Sequence, residues 1–154
     1  MTSQKFHFIM QRSFAQAQNF PNDPSDPEIF SLIKAAPKVE LHAHLNASIT
    51  REKFFELMER ESIPYDPAKL NPKNMKNVFG EVFPLLNRAI QSRRQLEFVC
   101  KSAFQGFVDD NVMYLEIRST PKRLSDISEI DYVNLVIDQI EQFAGRIEIR
   151  FLIS

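Results

Sequence analysis

Two histidines one residue apart, His42-Ala43-His44, are the part of this sequence best suited to chemistry. On an extended strand, residues two apart point the same way, so both imidazoles face one space. Two neutral imidazoles so placed suit a divalent transition metal, with zinc the usual occupant. The same spacing also suits a surface pair or two satisfied core histidines, and the pair alone leaves these readings open. Cys100 is the sole cysteine, which excludes a disulfide framework.

The histidine pair needs a strand to carry it, and Lys38–Leu45 (KVELHAHL) alternates as a strand should. Before it, Asp26-Pro27 reads as the start of a short helix through Ile29, Leu32 and Ile33, stopped by Pro37. After it, Thr50 is placed to cap a helix over Arg51–Arg60, and Ile63–Asn74, with three prolines, reads as a loop. Phe79, Val82, Phe83, Leu86 and Ile90 recur at helical spacing despite Gly80 and Pro84. Ser92 is placed to cap a stronger helix with Leu96, Val99, Cys100, Ala103, Phe104 and Phe107 on one stripe. A second strand follows over Val112–Ser119. A helix begins at Ser128 and stops at Gly145, and Arg146–Ser154 is a third strand.

This alternation of strands and helices is that of a parallel α/β sheet. Strict alternation puts Glu40, His42, His44 and Asn46 on one face of the first strand, opposite Val39, Leu41, Ala43 and Leu45. Glu116 and Arg118 share a face of the second, as do Glu148 and Arg150 of the third. An open sheet with helices on both faces would bury these charges against apolar stripes at a cost of several kcal/mol each. A barrel with a polar interior accommodates them. The expected fold is therefore an incomplete TIM-type (β/α)8 barrel, its first three parallel strands with intervening helices. The histidine pair lies near the C-terminal end of its strand, where such barrels assemble their sites.

The chain has 154 residues, 44% of them apolar and 25% charged, with a net charge of -1. These values describe an ordinary globular chain and give no footprint for nucleic acid. No apolar run approaches the ~20 residues of a membrane span. The first 22 residues hold Lys5, Arg12 and four Phe but no acidic residue, a faint likeness to a transit peptide, and Met10 is a possible internal start. Residues 1–25 are expected to be a poorly ordered extension and linker, and residues 26–154 the folded part. Cytoplasmic location is expected.

Residues 37–49, PKVELHAHLNASI, resemble the first-strand signature of the adenosine deaminase family within the amidohydrolase barrels. The likeness continues through YLEIRSTPKR at 114–123 and RFLIS at 150–154, covers roughly residues 28–154, and is greatest to the adenosine deaminase-like branch acting on N-methylated AMP. The resemblance implies one zinc ion with His42 and His44 as two of its ligands. It implies a purine nucleotide substrate whose amine is displaced by water to leave IMP. Asn46 stands where the adenosine-specific branch has an aspartate on the ribose 5′-hydroxyl. A neutral amide there tolerates and donates to a 5′-phosphate, which a carboxylate repels. Phe79 and Phe83 match an apolar lid over the purine, or else belong to an ordinary helix core. Ser119 and Thr120 lie within reach of the ligand, or cap the following turn.

Two departures stand out. Ala47 replaces the family's usual Gly, at a cost of about 1 kcal/mol or more if the position needs positive φ or close ligand approach. The family's third metal histidine, proton-donating Glu, later His and paired aspartates have no counterpart here, since the only other histidine is His7. The catalytic groups are thus expected beyond Ser154, in the missing C-terminal part of a barrel of about 250 residues. The 154 residues alone are expected to be inactive. A metal-dependent phosphoesterase, for which Arg118 and Lys122 are available, and a non-catalytic truncated form are the alternatives.

Overall fold

The computed structural model describes residues 31, 33–70 and 78–154. The predicted N-terminal extension and the start of its helix lie outside these residues. Ser31 and residues 33–35 are helical. Three strands, β1 (Lys38–His44), β2 (Val112–Ser119) and β3 (Glu148–Ile153), form one parallel sheet in the order β1-β2-β3. Between β1 and β2 lie α1 (Arg51–Arg60), α2 (Phe83–Ala89) and α3 (Arg93–Asp109), and α4 (Glu129–Glu141) joins β2 to β3. This is the expected three-stranded portion of an α/β barrel, and the sheet is not closed.

Local chemistry accounts for the elements. Thr50 Oγ1 accepts from the Lys53 amide at the start of α1. Ser128 and Asp131 exchange bonds in a capping box that opens α4. Ser92 occupies the N-cap of α3, but its hydroxyl engages the Gln95 side chain and not a backbone amide. Pro84 falls in the first turn of α2, where a missing N–H costs nothing, and a π-helical turn over Val78–Val82 precedes it. Gly145, at φ 81°, ends the segment after α4 in the left-handed conformation that glycine adopts readily.

The helices cover one face of the sheet. Leu115 and Ile117 of β2 point into that layer and are 0% exposed, packed with Phe104, Val99 and Leu96 of α3 and Val136 of α4. Glu116 and Arg118 alternate to the opposite, open face, where β3 places Glu148, Arg150 and Leu152.

The first strand departs from strict alternation. Lys38 pairs with Val112 but Val39 with Tyr114, so β2 carries one extra residue at Met113. Glu40 then pairs with Leu115 and Ala43 with Ile117, so β1 carries one extra residue between them. The two bulges cancel, and β1 leaves the sheet in its original register. Between them the pleat is inverted: Glu40 turns to the helix side and is 8% exposed, while Val39 is 59% exposed and Leu41 48%. The expectation that Glu40 shares a face with His42 and His44 is therefore corrected. The alternation in the sequence matches the unbulged register, which this strand does not adopt.

Candidate active-site mouth

Both histidines end up at the C-terminal end of β1. Their ring centroids lie 5.4 Å apart with the planes tilted by 49°. His44 pairs across the sheet with Arg118, which fixes it on the open face. Partial burial, then the neighbouring His42 and Arg118, hold the His44 pKa below the ordinary histidine value. The neutral imidazole so favoured is the form that ligates metals.

The strand passes directly into a 3₁₀ turn, Leu45–Ser48, tied back by the Ser48 hydroxyl donating to the His44 carbonyl at 2.8 Å. This turn carries Asn46. Its Oδ1 is buried and has no hydrogen-bond partner among the described residues. Such an atom is costly unless a ligand or water satisfies it. Ala47 is buried within the same turn and does not have positive φ. The loop therefore accommodates its methyl group without backbone strain, and the part of the penalty tied to positive φ does not arise.

Around this turn the other predicted residues are distributed unevenly. Ser119 ends β2 on the helix side, and its hydroxyl shares a 2.7 Å bond with Tyr132 of α4. Burial pushes the Tyr132 pKa up to about 12. Sequence position suggested a ligand contact or a turn cap for Ser119 and did not point to Tyr132, because the pairing depends on how α4 packs against β2. Thr120 is exposed just past the end of β2. Lys122 follows, half-buried, with burial lowering its pKa. Arg118 Nε is buried and lacks a partner among the described residues. Phe83 is half-buried at the start of α2 against the core. The Phe79 side chain lies outside the described residues.

The donor set can be tested against a zinc ion. A metal about 2.0–2.1 Å from one nitrogen of each ring sets the two ring centroids about 5 Å apart at a tetrahedral angle, close to the 5.4 Å observed. Donor type and ring spacing fit. The number is incomplete, since no group of three or more His, Cys, Asp or Glu among the described residues is placed to hold a metal. Two imidazoles would be half of the donors of a four-coordinate zinc site.

No family model matches the chain. N6-Methyl-AMP deaminase of Danio rerio is 31% identical over 140 residues, covering 84% of this chain and 40% of the relative. The adenosine deaminase-like protein of Drosophila melanogaster is 38% identical over 117 residues, covering 71% of this chain and 34% of the relative. The chain thus spans less than half the length of these relatives. Among solved structures, Arabidopsis ADAL complexed with IMP superposes with a TM-score of 0.65 at 28% identity, covering 80% of this chain and 42% of that one. An amidohydrolase from Burkhoderia ambifaria with bound Zn shares the fold at a TM-score of 0.63 and 22% identity, over 80% of this chain and 37% of its own. With the parallel sheet, these matches show that the chain belongs to the adenosine deaminase-like family.

Proposed function

We propose that the protein carrying this chain deaminates a purine nucleotide, converting N6-methyl-AMP or a related 6-amino purine nucleotide to IMP and an amine. Similarity to relatives named N6-methyl-AMP deaminase and to an IMP-bound structure supports the reading. The observation that carries it is Asn46, whose buried and unpartnered amide oxygen lies in the turn just after the imidazole pair. The amide Nδ2 donates to phosphate oxygens and Oδ1 accepts from a sugar hydroxyl, so a 5′-nucleotide satisfies both ends of the group.

His42 and His44 hold two positions of a zinc ion, and the chemistry such a metal supplies is activation of a water at neutral pH. On this reading Thr120, just past the end of β2, and Phe83, at the start of α2, would contact the bound nucleotide. The groups that move protons during displacement of the amine belong to the rest of the barrel, beyond these residues, so the 154 residues alone do not turn over. We place the reaction in the cytoplasm; among the described residues, no helix is long and apolar enough to cross a membrane.

The test uses protein purified from its source through an antibody to this chain, incubated with N6-methyl-AMP and Zn²⁺ and analysed by chromatography. IMP and methylamine are expected, with Asn46→Asp weakening IMP binding at least about tenfold through charge repulsion. Phosphate release with an unchanged purine spectrum would replace deamination by phosphoester hydrolysis. Robust turnover by the isolated 154-residue chain would overturn the assignment of the proton-transfer groups to the rest of the barrel.

A further inference from the structure

Glu40 is the one acidic side chain among the described residues buried to 8% exposure, and it lies on the apolar side of the sheet opposite Leu115. An isolated carboxylate in such a layer is expensive and needs a compensating bond. Its bond is local: Glu40 Oε1 accepts from the His42 backbone N–H at 2.9 Å. His42 sits in the stretch of β1 that carries the extra residue between Glu40 and Ala43. In a bulge the ladder is interrupted, and the backbone there is no longer fixed by the neighbouring strand. The carboxylate takes over that task.

We infer that Glu40 is a positioning residue for the imidazole pair: by holding the His42 amide, it fixes the bulged backbone from which the first imidazole projects. Ala43 and His44 need no such help, because they are back in register with Ile117 and Arg118. The two histidines are thus anchored by different means, His44 by the sheet and His42 by a side chain two residues earlier. The 5.4 Å between their rings depends on both. The inference rests on the reading of His42 and His44 as metal ligands.

The test measures Zn²⁺ affinity of the 154-residue chain by competition with a chromophoric chelator, together with hydrogen exchange of the His42 amide. Glu40→Leu removes the acceptor while filling the apolar site, a change that is neutral or stabilising when a buried charge is replaced. Glu40→Gln keeps an acceptor and removes the charge. Glu40→Leu is expected to lower Zn²⁺ affinity about 10- to 100-fold, the range for residues that orient a metal ligand. It is also expected to speed exchange at His42 without lowering the melting temperature. Glu40→Gln is expected to restore both readouts to near the parent values. Unchanged affinity and exchange in Glu40→Leu would overturn the inference, as would a Glu40→Gln protein as impaired as Glu40→Leu. His42→Ala serves as the control for the site itself. If it leaves Zn²⁺ affinity unchanged, the metal reading fails, while exchange at His42 in the Glu40 variants still decides whether the carboxylate holds the bulge.

Discussion

The two faces of the sheet are built on opposite terms. On the helix side, Leu115, Ile117, Phe104 and Val136 are 0% exposed, and the polar pair buried there, Ser119 and Tyr132, satisfies itself at 2.7 Å. On the open side, Val39 is 59% exposed, Asn46 Oδ1 and Arg118 Nε lack partners among the described residues, and charges pair in contact with solvent, as Arg150 does with Glu148. The first arrangement holds a fold together. The second holds unsatisfied donors and acceptors ready around two imidazoles, which favours binding over stability.

That contrast is broken most directly by truncating one residue on each side. Leu115→Ala removes a side chain with no exposure and is expected to cost about 2–5 kcal/mol in urea unfolding. Glu148→Ala, which removes the partner of a solvent-exposed Arg150, is expected to change stability by less than about 0.5 kcal/mol. Comparable losses at both positions would mean that the open face contributes to the core after all.

Much of this division was legible in the sequence. The apolar stripe of Leu96, Val99, Cys100, Ala103 and Phe104 faces the sheet as its spacing predicts, and Glu116, Arg118, Glu148 and Arg150 share the open side. The caps at Thr50 and Ser128 and the stop at Gly145 were legible because each depends on one or two adjacent residues. Glu40 was not, because its orientation depends on a paired insertion in two strands separated by more than sixty residues. Strict alternation in KVELHAHL states a preference for one pleat, and register with β2 overrides it. Ser119 illustrates the same limit: its position at a strand end left a ligand contact and a turn cap open, and its bond to Tyr132 is set by how α4 docks.

The hydroxyl pair offers a finer probe of the covered face. Tyr132→Phe leaves Ser119 without its partner and is expected to cost about 1 kcal/mol at neutral pH. Its pH dependence carries a sign. The folded-state pKa is raised to about 12 from an ordinary 10, so the fold favours the protonated phenol. The stability linked to that preference is complete below pH 10 and is lost as pH rises towards 12. Unfolding measured from pH 8 to 11.5 should show this decline in the parent chain and a smaller one in Tyr132→Phe. Equal declines would place the phenol in contact with water.

The smallest expected effect is the most discriminating for β1. In an unbulged register Leu41 would lie opposite Leu115, inside the helix-covered layer, and Leu41→Ala would cost about 2–5 kcal/mol. In the bulged register Glu40 takes that place and Leu41 is 48% exposed, so the same substitution is expected to cost about 0.5 kcal/mol or less. The two outcomes differ by more than the error of a urea titration, and neither depends on metal or nucleotide. A large loss would return Glu40 to the open face beside the imidazoles and leave the His42 amide to the sheet. A negligible loss fixes the inverted pleat, because only the bulges let so apolar a residue in a central position of β1 be dispensable.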